Sequence, residues 1–307
     1  MLMLSLELQV GPGRAPLPAH LGGVLHGFVE GGVKNHAPHL LPVLRPNGPH
    51  EAAHFMILPP PAAQPAGDIL RFGVMLYGDV AAAWPVLARA LLEQQAHGLH
   101  GRRMRIDQAW CANPGGEAFP LLARGQLLEF PEGPPIDLGI RASVARNRMD
   151  DRLPGHHRLS FRSPLLLASR KAQRTPERLA SGLPWPSLGA VLDSIADRMR
   201  DMEPELARVL NLPAGWRAPD FTRDIEPLTP AANPARQVAW DYTSTPRNGH
   251  GGATPVRRTL PILGIVGDLI YPATGIEHER QLLHWGQWLG VGQKTTMGCG
   301  SYALVQP

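Results

Sequence analysis

The sequence predicts an α+β protein made of two tandem ferredoxin-like βαββαβ domains, residues 1–150 and residues 151–307. In the first half, signals for a strand, a helix, strands, a helix and a strand follow one another in the order of one such unit. A polar, structure-breaking stretch from Met149 to Pro154 ends this series, and a second series begins at Arg158. At 307 residues the chain is long enough to bury a core in each half.

The N-terminal half begins with a strand and a glycine-rich helix. Apolar residues alternate from Leu4 to Val10, and the Gly/Pro-rich stretch from Gly11 to Pro18 indicates a turn after that strand. A helix is predicted from about Ala19 to Gly31, with apolar residues at helical spacing at 21, 24, 25 and 28. Its glycines at 22, 23, 27, 31 and 32 each weaken a helix by up to about 1 kcal/mol relative to alanine. Close approach of a second backbone would explain them.

The remaining elements have equally local signals. Ile69 to Leu76 alternates and predicts a strand, and Asp79 can cap the helix that follows. In the second half a long amphipathic helix is predicted, and a last helix from about His278 to Leu289 precedes a final strand from Ser301 to Val305. The apolar face of the long helix consists of Leu188, Leu192, Ile195, Met199 and Met202.

A glycine-rich segment joins the last helix to the final strand. It reads LGVGQKTTMGCGSYAL over 289–304, and Lys294 and Thr295 lie between the glycine pairs Gly290, Gly292 and Gly298, Gly300. Glycine permits positive φ and exposes N–H donors, so the segment could form an anion nest for phosphate. A glycine-rich hairpin that closes a sheet is the alternative. The spacing and the helix–loop–strand order differ from the phosphate loop and the dinucleotide fingerprint, which disfavours a nucleotide-dependent enzyme.

Composition sets broad limits on the class of protein. Hydrophobic residues are 43% and charged residues 18% of the chain, which is typical of a globular protein. The net charge is +4 and the pI is near 9.4, which mildly favours a polyanionic partner. The two cysteines, Cys111 and Cys299, are too few for a disulfide framework. Because no signal-peptide pattern and no run of about 18 apolar residues occurs, we expect a cytoplasmic protein without a membrane segment.

Four segments, in order, resemble one family. GVGQKTTMGCGSYAL is similar to the glycine-rich loop of the RAMP superfamily, and more narrowly of the precursor-CRISPR-RNA-processing endoribonucleases, the Cas6 family. Leu70 to Arg103 resembles the family's strand–helix–glycine–basic unit, and His157 to Leu167 resembles the strand that opens its second half. Trp240 to Gly267 resembles the segment before its last helix. The resemblance implies two RRM-like domains and no cofactor.

The resemblance also implies a chemistry. The family cleaves RNA without metal: the ribose 2′-hydroxyl attacks the adjacent phosphate and leaves a 2′,3′-cyclic phosphate and a 5′-hydroxyl. This reaction needs a base, an acid and cations, and histidine suits both proton roles. By resemblance the catalytic candidates are His26 on the first helix and His39 or His36 just beyond it. The residues alone allow a packing role for His26 and a bystander role for the other two. A zinc site from His36, His39, His50 and His54 lacks a cysteine partner, so no metal is predicted.

Several cations and the glycine-rich segment are predicted to contact RNA. In that segment the candidates are Gly290, Gly292, Lys294, Thr295, Gly298 and Gly300. Arg257 and Arg258 could reach the same cleft, and Arg102 and Arg103 suit the RNA backbone, unless they form only an exposed basic turn. The RRM aromatic pattern is absent, which favours recognition by shape, phosphate and 2′-hydroxyl contacts. The expected partners are CRISPR repeat RNA and crRNA, with other CRISPR effector subunits. The alternative function is a non-catalytic RAMP subunit that binds RNA.

Overall fold

A computed structural model describes most of the chain. The described residues are 1–13, 17–18, 20–45, 53–60, 69–123, 126–127, 155–167, 185–244, 258–293 and 295–305, with the backbone alone at 123, 126–127, 240–244 and 258–262. The strands are β1 (Leu2–Val10), β2 (Phe55–Leu58), β3 (Ile69–Leu76), β4 (Met104–Ala112), β5 (Ala118–Ala123), β6 (Gln126–Leu127), β7 (His156–Leu165), β8 (Arg236–Ser244), β9 (Arg258–Pro272) and β10 (Tyr302–Val305). The helices are α1 (Gly22–His36), α2 (Leu41–Leu44), α3 (Gly78–Ala82), α4 (Trp84–Gln94), α5 (Leu188–Met202), α6 (Pro204–Val209) and α7 (Glu279–Leu289).

Two antiparallel sheets repeat one topology. The first sheet has the order β2-β3-β1-β4-β5-β6, and the second has the order β10-β7-β9-β8. In both, the first strand of the unit lies between its third and fourth strands, and the second strand lies outside the third. This is the ferredoxin-like arrangement, so the predicted α+β class with two such units is confirmed. The hairpin of β5 and β6 extends the first sheet and was not predicted.

The two units are called here the N-terminal unit, β1 to β6, and the C-terminal unit, β7 to β10. Between them lie residues 128–154, which include the predicted boundary near residue 150 and are outside the described residues. The boundary therefore stays a prediction. Within the described part of the chain, no helix combines the length and hydropathy needed to cross a bilayer.

The core of the N-terminal unit follows from the alternation in β1. One face of that strand is fully buried beneath α1 and α4, and its members are Leu2, Leu4, Leu6, Leu8 and Val10. α1 extends beyond the predicted end at Gly31 as far as His36, because Val33 is buried in this core. Gly32 lets α1 approach α4, since a Cβ there would lie 3.2 Å from the Ala90 carbonyl oxygen.

The core of the C-terminal unit also receives side chains from the N-terminal unit. The predicted apolar face of α5, from Leu188 to Met202, is buried there, and Met56, Met75 and Tyr77 pack into the same core. The Tyr77 hydroxyl donates to the Trp288 carbonyl oxygen at 2.7 Å, and burial raises the pKa of that hydroxyl. The end of α7, from which the glycine-rich segment continues, is therefore held against the N-terminal unit.

Candidate functional site

Residues 290–300 are called here the glycine loop, and close packing requires glycine at four of its positions. All four glycines have positive φ, between 73° and 82°, a region that other residues rarely adopt. A Cβ at Gly300 would overlap the Val291 carbonyl oxygen, and one at Gly292 would overlap the Leu166 carbonyl oxygen. At Gly298 a Cβ would lie 3.0 Å from the Pro59 ring. The loop is therefore folded closely upon itself and upon both units.

Most backbone donors of the glycine loop are already used. The N–H groups of Val291, Gly292, Gln293, Gly298 and Gly300 donate to oxygen atoms of the protein at 2.8–2.9 Å. The expectation of a nest of free N–H donors is thus wrong at these positions, because the close packing supplies protein acceptors. Thr295 is buried, which hides its side chain from a ligand. Contact of the loop with RNA stays a prediction, and Lys294 lies outside the described residues.

The turn of the glycine loop at 295–297 rests on the start of α1. A Cβ at Gly22 would overlap the carbonyl oxygen of Met297, so this glycine permits the close backbone approach expected from the sequence. His20, just before the helix, contacts the same carbonyl oxygen through Nε2 at 2.9 Å. Since a carbonyl only accepts, His20 Nε2 carries the proton and donates. Burial lowers the pKa of His20, although this hydrogen bond works in the opposite direction.

His26 is held by the neighbouring carbonyl of that turn. Its Nδ1 lies 3.1 Å from the Thr296 carbonyl oxygen, and its ring stacks on Phe55 with centroids 5.6 Å apart. By the same argument Nδ1 carries the hydrogen, so Nε2 is the basic atom of the neutral ring. The side chain is 12% exposed. A fixed tautomer with a defined basic nitrogen is what a general base requires.

A charged cluster surrounds Nε2 of His26. A carboxylate oxygen of Glu30 lies 3.5 Å away, and Glu30 in turn pairs with Lys34 at 3.0 Å and with Arg45. Burial lowers the pKa of His26, and the Glu30 carboxylate offsets only part of that effect. Burial would raise the pKa of Glu30, but His26, Lys34 and Arg45 outweigh it and hold this pKa at about 2. Glu30 is therefore ionised near neutral pH.

The other two candidate histidines lie away from the glycine loop. His36 ends α1, ten residues after His26 and hence about 15 Å further along the helix axis. Its Nδ1 is 3.1 Å from Glu93, and its ring is 5.8 Å from that of His97. His39 is exposed in the 3₁₀ turn Pro38–Leu40. The catalytic roles of all three histidines stay predictions.

The predicted basic contacts differ in their surroundings. Arg102 donates to the Gly11 carbonyl oxygen at 3.3 Å, whereas the side chain of Arg103 is exposed. Arg257 lies outside the described residues, and for Arg258 only the backbone in β9 is described, opposite Ser244. Among the described residues, no group of three or more His, Cys, Asp or Glu is placed to hold a metal ion.

Four residues of this site were missed from the sequence. Glu30 and Lys34 follow His26 at i+4 and i+8, so helical spacing alone could have placed them beside it. His20 and Arg45 had no such local signal, because tertiary contacts bring them to the cluster.

Comparisons with known proteins agree with this picture. Residues 159–302 match the family model described as CRISPR-associated endoribonuclease Cas6. This range contains most of β7, all of β8 and β9, the whole glycine loop and the first residue of β10. A search of curated proteins gives no match. Among solved structures, a Cas6 product complex is 17% identical with a TM-score of 0.54, and the match covers 99% of each chain. A Thermus thermophilus Cas6 is 18% identical with a TM-score of 0.50, over 99% of this chain and 98% of that one.

A third solved structure is the Cas6-RT-Cas1–Cas2 complex, 16% identical with a TM-score of 0.52. There the match covers all of this chain and 29% of the other chain. At these identities the structural likeness shows the fold alone, while the family model adds the sequence of the C-terminal unit. In its fold and in residues 159–302, this chain resembles the CRISPR-associated endoribonucleases of the Cas6 family.

Proposed function

We propose that this chain is an endoribonuclease that cleaves CRISPR repeat RNA within precursor crRNA. The reaction is metal-independent: the ribose 2′-hydroxyl attacks the adjacent phosphate and leaves a 2′,3′-cyclic phosphate and a 5′-hydroxyl. The observation that supports it most is His26, whose tautomer is fixed by a carbonyl of the glycine loop. That contact lies where the segment matched by the family model meets the N-terminal unit.

His26 is the proposed general base. Its Nε2 takes the proton of the 2′-hydroxyl while the Thr296 carbonyl keeps the ring oriented through Nδ1. The ring becomes an imidazolium, which the Glu30 carboxylate 3.5 Å away stabilises. The histidine of a catalytic triad works in the same way: a hydrogen bond to one ring nitrogen orients the ring, and the other nitrogen acts as the base.

Negative charge grows on the phosphate as the 2′ oxygen attacks. Lys34 and Arg45 are the described cations next to His26, and both also neutralise Glu30. Lys294, Arg257 and Arg258 keep the phosphate-binding role implied by the family resemblance. The leaving 5′ oxygen needs a proton from a second group, and His20, which is held by the same turn of the glycine loop, is the candidate to be tested for that role. His39 lies away from that turn and keeps only the catalytic role that the family resemblance implies.

The test is cleavage of the repeat RNA in EDTA, beside an RNA with one 2′-deoxy substitution at the cut site. We expect cleavage of the first RNA alone, with a cyclic phosphate on the product. His26→Ala should lower the single-turnover rate by about 10²- to 10⁴-fold and leave RNA binding nearly unchanged. His20→Ala and His39→Ala are measured in parallel, and His156→Ala, an exposed histidine of β7, is the matched control. A fully active His26→Ala variant would refute the assignment.

A non-catalytic RNA-binding subunit is the second candidate. One observation favours it: both ring nitrogens of His26 already face protein groups, and the side chain is 12% exposed, as in a packing histidine. Tight binding of the repeat RNA with no product after long incubation would establish this function. It would also refute the endoribonuclease proposal.

A further inference from the structure

A basic turn at 98–103, called here the α4–β4 turn, opens the fourth strand of the N-terminal unit. Leu99 and Arg102 exchange two backbone hydrogen bonds, at 2.9 and 3.0 Å, around His100 and Gly101. Both central residues have positive φ, 51° and 74°, which is the geometry of a type I′ hairpin turn. Such a turn is tight and fixes the direction in which the following residue leaves it.

A cavity of about 450 Å³, open to solvent, lies beside this turn. It occupies the end of the first sheet where β1 finishes and β4 starts, with Val10 opposite Met104 and Gln9 opposite Arg105. Among the described residues its lining contains two arginines, one amide and no carboxylate: Gln9, Val10, Gly11, Pro12, Arg103, Met104 and Arg105. The cavity therefore offers positive charge and N–H donors, which suit an anion.

The three arginines near the cavity are not equivalent. Arg102 is committed to the Gly11 carbonyl oxygen, and Arg105 pairs with Asp107 at 2.6 Å and with the Gln9 amide oxygen at 3.1 Å. Arg103 is exposed, and no described residue forms an ion pair or a hydrogen bond with its guanidinium. Its backbone is nevertheless fixed, because its carbonyl accepts from the Gly11 N–H at 2.8 Å. Among the described residues the guanidinium of Arg103 thus has no partner, while its backbone is held in place by Gly11.

We propose that this cavity binds a backbone phosphate of the RNA substrate through Arg103. The inference rests on the proposed function for the identity of the ligand. A guanidinium can hold two phosphate oxygens at once. Because the Gln9 amide oxygen accepts from Arg105, the amide nitrogen of Gln9 is left as a second donor.

The cavity lies far from the glycine loop, so the phosphate that it binds is a different one from the scissile phosphate. The glycine loop contacts β2 at Met56 and just beyond it at Pro59, and β2 is three strands from β4 in the sheet. Three inter-strand steps are about 14 Å across the sheet, and the register adds roughly 20 Å along the strands, because Met56 is level with Met3 of β1 whereas the cavity begins at Gln9. The bound phosphate is therefore a few nucleotides from the scissile one, and Arg103 contributes to affinity rather than to the chemical step.

The test compares Arg103→Gln with Arg89→Gln in the full chain. Arg89 is an exposed arginine of α4 that, like Arg103, has no ion pair with a described residue, so the same charge is removed away from the cavity. The Kd is measured over a range of salt with repeat RNA carrying a 2′-deoxy group at the cut site. The single-turnover rate is measured at saturating uncut RNA. Thermal melts verify that both variants are folded.

We expect Arg103→Gln to weaken binding about tenfold at low salt and to reduce the slope of log Kd against log salt by about 0.7. The rate at saturation should not change, and Arg89→Gln should match the wild type. Equal Kd values for the two variants would overturn the inference, as would a loss of rate at saturation without a loss of binding. If the wild type binds RNA without cutting it, the proposed function fails alone, and the Kd comparison still decides the role of Arg103.

Discussion

The glycine loop and the α4–β4 turn are both predicted from the sequence to contact RNA, yet the protein uses their polar groups differently. In the loop, most N–H donors bond within the protein, and the glycines permit close contacts within the loop, with the C-terminal unit and with the N-terminal unit. In the turn, the Arg103 guanidinium has no partner among the described residues, and an open cavity lies beside it. A glycine-rich segment can therefore serve to position other groups, here His20 and His26, while the basic turn presents an arginine that no described residue pairs with.

The strongest test of the loop's positioning role is Gly22→Ala. The added Cβ would overlap the Met297 carbonyl oxygen, so the loop and α1 must separate. Overpacking of this kind typically lowers the free energy of unfolding by about 1–3 kcal/mol. We also expect loss of cleavage, since separation releases the carbonyls that hold His20 and His26. Thermal melting and single-turnover cleavage measure the two effects, and a variant as stable and active as the wild type would show that the loop does not position the histidines.

The next test concerns the pH dependence of cleavage. A base must be neutral, and burial lowers the pKa of His26 below its ordinary value of 6.5, so the acidic limb of the rate profile should lie below pH 6.5. Glu30 raises this pKa and Lys34 lowers it. Glu30→Gln should therefore move the limb to lower pH, and Lys34→Met should move it to higher pH.

Single-turnover profiles of the wild type and the two variants, at saturating RNA, measure this limb. Two shifts in the same direction would contradict the assignment of the limb to His26. Lys34→Met is the internal control, because it removes a charge from the same helix face with the opposite sign.

A smaller effect is expected in the stability of the same cluster. The pKa of Glu30 falls from an ordinary value of 4.5 to about 2 in the folded protein. When the pKa of a carboxyl is lower in the folded protein than in the unfolded chain, the carboxyl stabilises the fold fully at pH values above its pKa in the unfolded chain. This contribution is lost as the pH falls toward its pKa in the folded protein. The difference in melting temperature between wild type and Glu30→Gln should thus shrink as pH falls below 4.5 toward 2. A difference that persists unchanged to lower pH would mean that Glu30 acts through packing instead.

More of the fold than of the candidate site could be predicted from the sequence. Strand alternation and helical spacing are local signals, and they gave the order of elements and the buried face of α5, although not the β5–β6 hairpin or the full length of α1. His26 was named by resemblance. His20 could not be found, because its contact with Met297 joins residues 277 positions apart. Whether the N–H donors of the glycine loop are free depends on acceptors such as Ser194 and Leu166, which no local pattern indicates.

The smallest expected effect is a change in stability that differs between two glycines of α1. Gly27 follows His26 on α1, is exposed, and has no atom within 4 Å of the position a Cβ would take, in contrast to Gly22. Gly27→Ala should therefore raise the free energy of unfolding by up to about 1 kcal/mol through helix propensity alone. Thermal melts beside Gly22→Ala measure this, and a lowered melting temperature would contradict it. The cleavage rate of this variant then tests whether RNA occupies the open space beside Gly27. A slower rate would place the RNA backbone against this face of α1.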